Sequence, residues 1–207
     1  MDFEKRLALY EKLYFNENET KEKLHARVQG VFAFSLIIAT VISYIFKNIT
    51  YGSTLLNLTI IILNITACIL LAYALWLLKK AFWGNEYAIF FTPKEISDLL
   101  VECQEYCKNI VEYNDENPLF PVAAMDANQL LDEMVCERFE LAATNNIDVN
   151  LVRSDNIHKA IHKMFVSLIP LTLAMVVFLI GNLDSSAPRN ASSGETKVIV
   201  IEKSVIF

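Results

Sequence analysis

Two uncharged apolar runs, separated by a short link, constrain this chain more than any other feature. Val31–Phe46 (VFAFSLIIATVISYIF) and Leu55–Leu78 (LLNLTIIILNITACILLAYALWLL) hold no Asp, Glu, Lys, Arg or His, and KNITYGST joins them. A hydrocarbon core takes roughly 20 helical residues, so the first run is near the minimum for crossing and the second crosses with tilt. So short a link leaves room only for a tight turn. The two runs are therefore expected to form an antiparallel helical hairpin in a bilayer.

A third uncharged run, Met164–Ile180, follows much later. The hydrophobic share of 54% exceeds that of an ordinary soluble domain, and the excess lies in these three runs. The expected fold class is an all-α membrane protein with three transmembrane helices, a hairpin plus one. A cytosolic helical hairpin and a short β-prone outer tail complete it. The expected segments are 1–28, a cytosolic amphipathic helix; 29–80, the two-span hairpin; 81–162, a cytosolic helical region; 163–182, the third span; and 183–207, an outer linker and tail.

Orientation follows from Lys and Arg near the span ends. Lys5, Arg6, Lys12, Lys21, Lys23 and Arg27 precede the first span, whereas Lys47 alone lies in the hairpin turn. Lys79 and Lys80 follow the second span, and Lys159 and Lys163 precede the third. The N-terminus and the central region are thus expected in the cytosol, with the turn and the C-terminus outside. Asn48-Ile-Thr50 and Asn190-Ala-Ser192 match glycosylation sequons on that outer side, a pattern that also arises by chance. The charged N-terminal stretch has no h-region, which argues against a cleaved signal peptide.

Phe3, Leu7, Tyr10, Leu13 and Tyr14 give the N-terminal helix an apolar face, suited either to an interface or to packing on the rest of the cytosolic part. No Pro precedes the first span, so one long helix could run into it. Thr92-Pro93-Lys94-Glu95 has the form of a helix start, with Thr as N-cap, Pro at the first position and Glu at the third. Asn114–Val122 (NDENPLFPV) reads as a turn, and a second helix is expected from near Asp126 into the third span. After it, Asp184–Glu195 reads as a flexible linker and Lys197–Phe207 as β-prone, needing something to pair with.

The net charge of −6 argues against a nucleic-acid surface. Cys68, Cys103, Cys107 and Cys136 suit reduced thiols, with Cys103 and Cys107 on an apolar helix face. No phosphate loop, nucleophile elbow or metalloprotease motif occurs, so no enzyme, cofactor or metal is expected. His158 and His162 share a helical face at zinc spacing, and His25 or Asp155 would have to complete a site; the alternative is interfacial polar residues. Asn57 and Asn64 share a face of the second span, and Ser35, Ala39 and Ser43 form a small-residue stripe on the first. Both suit close helix packing, either inside the hairpin or at a subunit interface or polar pore.

Leu9–Arg27 (LYEKLYFNENETKEKLHAR) and Ala142–His158 (AATNNIDVNLVRSDNIH), with Asn146, Asn150, Arg153 and Ser154, resemble the segments before the first and last spans of a group of small bacterial membrane proteins. The plan is also similar to SLATT-like effectors and to the membrane accessory proteins of type VI-B CRISPR loci. The resemblance implies anti-phage defence at the bacterial inner membrane, by an oligomeric effector or accessory protein that forms or gates a pore or disturbs the bilayer. The alternative is a non-conducting anchor that recruits a cytosolic nuclease or complex. In either case the bilayer and further copies of the chain are expected partners. Arg27, Asn146, Asn150 and Arg153, with the three histidines, then lie at the inner membrane level. They either couple the cytosolic part to the spans or cap and snorkel at the headgroups.

Overall fold

The computed structural model describes residues 1–50, 54–84 and 86–186. The expected tail at 196–207 and the second sequon lie outside the described residues. Among the described residues the chain forms four helices: α1 (Phe3–Asn48), α2 (Thr54–Phe82), α3 (Pro93–Glu116) and α4 (Ala127–Ile180). The fold is all-α, and α1, α2 and α4 are each long and apolar enough to span a membrane. The expected boundaries near 28 and 162 are not breaks in the backbone. α1 runs through the first and α4 through the second, because neither place offers a terminating residue.

The three long helices share one burial pattern. On α2 the buried positions Asn57, Ile60, Asn64, Ala67, Leu71, Ala74, Leu78 and Ala81 alternate steps of three and four, with Leu77 buried beside Leu78. α4 repeats the pattern from Phe139 to Phe178 and α1 from Leu24 to Ile45, Val31 being half-buried. This is the seam of packed helices, and Ala67, Ala74 and Ala81 at every seventh place permit close approach. The serine stripe of α1 departs from it: Ser35 is buried, Ala39 half-buried and Ser43 exposed. A step of four residues overshoots one turn by about 40°, so by Ser43 the stripe has rotated about 80° away from the seam. The small-residue seam belongs to α2 and α4 instead.

The chain divides into two compact units. The first comprises Met1–Ser35 and Ala72–Lys163, and the second Leu36–Leu71 with the described residues from Met164 onward. In the first, α3 starts on a complete capping box: the Glu95 amide donates to Thr92 Oγ1, and the Thr92 amide donates to Glu95 Oε2 at 2.6 Å. Asp126 caps α4 through the amides of Asn128 and Gln129. Between α3 and α4, the Asn114 side chain closes the turn on Val122, donating to its carbonyl and accepting from its amide. Cys103 is buried against Met134, and burial pushes its thiol pKa up.

In the second unit Asn64 is fully buried and its Nδ2 donates to the Ile42 carbonyl of α1 at 3.1 Å. The start of the expected flexible linker is held rather than free. Asp184 and Ile49 form an antiparallel bridge, and the amides of Thr50 and Ser185 donate to the carbonyls of Leu183 and Asn48. Tyr44 adds a hydroxyl bond to Asp184 Oδ2 at 2.8 Å. These chain ends have unpaired backbone groups once their helices stop, and they satisfy one another.

Candidate functional site

Between α2 and α3, residues Glu86 to Phe91 belong to no helix or strand and have no sheet partner among the described residues. Peptide groups drawn out of solvent need partners, and here side chains of α1 and α4 supply them. Asn146 pairs with Ala88 as a peptide would: Oδ1 accepts from its amide at 2.9 Å and Nδ2 donates to its carbonyl at 3.2 Å. Asn145 donates to the Glu86 carbonyl, Arg138 to that of Ile89, and the Phe90 amide donates to Tyr14. Aromatic packing reinforces this end. Phe90 stacks on Phe139 with ring centres 3.9 Å apart, and Tyr14 meets both rings edgewise or tilted.

Tyr87 is the hub of the other end. Its hydroxyl donates to Asn150 Oδ1 at 2.6 Å and accepts from Arg153 Nη1. Asn150 Nδ2 in turn donates to the Glu17 carbonyl of α1 at 2.9 Å and to its carboxylate at 2.8 Å. Arg153 Nε donates to the Ala81 carbonyl, one of the last carbonyls of α2, at 2.8 Å. Two cations flank the Tyr87 ring, Lys21 Nζ at 4.6 Å and Arg153 Cζ at 5.5 Å from its centre. Arg153 is only 4% exposed, and among the described residues no carboxylate forms an ion pair with it. The result is a polar clasp that joins α1, the end of α2, the Glu86–Phe91 segment and α4.

Of the residues singled out in the sequence, Asn146, Asn150 and Arg153 are thus buried together in one network. Arg27 is exposed and lines a separate shallow cleft with Leu24, Asn150 and Ser154. His25 is half-buried against Phe82, with ring centres 5.2 Å apart. His158 and His162 are exposed, and Asp155 is engaged with Lys159 at 2.6 Å. Among the described residues no three His, Cys, Asp or Glu side chains are grouped to hold a metal ion. Asn57 and Asn64 are both turned into the packing of their own chain, the second through Ile42. Asn64 Oδ1 is buried with no hydrogen-bond donor among the described residues.

Sequence reasoning missed Tyr87, Glu17 and the segment they hold, and gave Tyr14 only a place on the apolar face of the N-terminal helix. The one available signal was the aromatic stretch YAIFF after Gly84, too short for a span and lying before a strong helix start. No protein-family model, no curated protein and no solved structure matches the chain.

Proposed function

We propose that the chain is a non-enzymatic effector or accessory protein of bacterial anti-phage defence. It resides in the inner membrane with its N-terminus in the cytosol and acts there as a homo-oligomer. The clasp is the observation that carries this reading. Asn146, Asn150 and Arg153, which also carry the sequence resemblance, bind the Glu86–Phe91 segment and the end of α2. All three long helices continue from that unit into the other without a loop. A partner or signal that shifts α3 and the Glu86–Phe91 segment therefore acts on the same helices that cross the bilayer. Buried polar networks of this kind have discrete arrangements, which is what a switch requires.

The output is a disturbance of the bilayer or a pore. Because Asn64 is already engaged inside the hairpin, a pore lined by the Asn57 and Asn64 face requires the hairpin to open. A second reading, the non-conducting anchor, is favoured by Leu119 and Phe120 in the turn after α3, which are 85% and 78% exposed. Apolar side chains held this far out suit docking of a cytosolic partner.

Dye release from liposomes carrying the purified protein separates the two. Release by the wild-type protein, reduced about tenfold or more by Asn150→Ala, supports coupling through the clasp. A monomer that releases nothing, together with loss of a co-purified cytosolic protein in Leu119→Asp/Phe120→Asp, selects the anchor.

A further inference from the structure

Beside the clasp, Lys21, His25, Tyr87 and Arg153 line an open cleft of about 470 Å³, with Glu22, Phe82 and Ile89 completing its wall. One carboxylate, Glu22, thus shares the cleft with two cations. Among the described residues neither Lys21 nor Arg153 is ion-paired, although the guanidinium is almost wholly buried. A buried unpaired cation is costly, and an anion brought against it recovers part of that cost. A phosphate fits this chemistry, since guanidinium and ammonium donors recognise its oxygens.

A second cavity, an apolar groove of about 450 Å³, adjoins the cleft and shares His25 and Phe82 with it. Val28 and Phe32 of α1 line one side of the groove and Leu75 and Leu78 of α2 the other, with Lys79 at its edge. Lys21, His25, Val28 and Phe32 recur at steps of four, three and four, so one face of α1 passes from cationic to apolar. From His25 to Phe32 the helix rises about 10 Å, within the depth of one leaflet's hydrocarbon. A soluble phosphate would use the cleft alone. A phospholipid uses both cavities, with the headgroup among the cations and an acyl chain in the groove.

We propose that these adjoining cavities form a binding site for an anionic phospholipid, whose phosphate is held by Lys21, His25 and Arg153. Such a lipid would rest directly on Tyr87 and Arg153, so its binding would hold the clasp closed. The inference rests on the membrane reading above, and sedimentation of the expressed protein with membranes tests that reading separately.

The direct test uses the full chain in a neutral detergent, with native mass spectrometry and thermal unfolding as readouts. Phosphatidylglycerol is compared with phosphatidylcholine and with inorganic phosphate. One phosphatidylglycerol is expected to be retained per chain, with a rise in Tm, while phosphatidylcholine and inorganic phosphate at equal concentration give neither. Lys21→Glu reverses a charge at the headgroup and is expected to weaken binding about tenfold or more. Leu75→Trp fills the groove and should weaken it comparably. Lys21→Gln, which keeps the length of the side chain, gives a smaller loss and serves if the reversal misfolds. Equal retention of the two lipids, or unchanged phosphatidylglycerol affinity in folded variants of both cavities, overturns the proposal. So does a Tm rise with inorganic phosphate that Leu75→Trp leaves intact, which would assign a soluble phosphate ligand. A membrane-bound chain that retains no phosphatidylglycerol removes this inference and leaves the function proposed above standing.

Discussion

In the unit that contains α3, Asn146 and Asn150 each use both ends of the side-chain amide, whereas Asn64 in the other unit uses only one. For Asn146 the difference comes from the backbone that it meets. Glu86–Phe91 lies outside helix and sheet and offers amides as well as carbonyls, so Asn146 pairs with Ala88 as another peptide would. Asn150 takes its donor from the Tyr87 hydroxyl instead. A helix interior offers almost no free amide, because each N–H is already bonded four residues back. Asn64 can therefore share the Ile42 carbonyl, but its own oxygen finds no donor among the described residues. The same residue type is a fastener in one unit and an unsatisfied group in the other.

Substitutions can break or sharpen that contrast. The largest effect is expected at Arg153, whose guanidinium joins Ala81 and Tyr87. Arg153→Met leaves that carbonyl and that hydroxyl without their donor and should cost about 3 kcal/mol, since bonds to charged groups are the strong ones. Thermal unfolding in lipid-free detergent measures it, and hydrogen exchange should accelerate at Tyr87 and Ala88. A loss below about 1 kcal/mol would remove Arg153 from the clasp. Next comes a matched pair. Asn146→Leu strands both the amide and the carbonyl of Ala88 and should cost about 2 kcal/mol. Asn64→Leu exchanges a half-satisfied amide for an apolar side chain of similar size, so its effect should lie within about 1 kcal/mol of zero and can be stabilising. Equal losses at the two sites would erase the distinction drawn here.

The smallest effect is a pH dependence at the start of α3. Glu95 has its carboxyl pKa held below the usual glutamate range, first by the Thr92 backbone amide and then by the Thr92 side chain. A lowered folded pKa stabilises the cap above the unfolded value of about 4.3, and that stabilisation is lost as pH falls through the folded value. Amide exchange in the first turn of α3 should quicken on acidification in the wild-type chain. In Glu95→Gln that acid step should be absent.

Much of the architecture was legible because it depends on local chemistry. Uncharged runs of span length, the Thr92 capping box, the turn at Asn114–Val122 and the helix start at Asp126 each follow from a few neighbouring residues. The stripe at Ser35, Ala39 and Ser43 does not follow the seam inside the chain, because several helix faces carry small residues and sequence spacing alone does not say which face turns inward. The seam became clear only from burial, where Ala67, Ala74 and Ala81 are each fully covered. Asn146, Asn150 and Arg153 could be recognised as a group, but their partners could not. Glu17 and Tyr87 lie 133 and 63 residues from Asn150, and no periodicity connects such distances.

The sequence by itself thus determined where helices form, how long they run and which three can cross a bilayer. Those outcomes depend on side-chain transfer into hydrocarbon and on caps a few residues wide. Only the tertiary structure decided that Glu86–Phe91 is held as a strap, and that a buried arginine and two asparagines serve it. The physical reason lies in the backbone. A segment outside helix and sheet must find its hydrogen bonds outside itself, and the groups that supply them are chosen by the packing of helices distant in the chain.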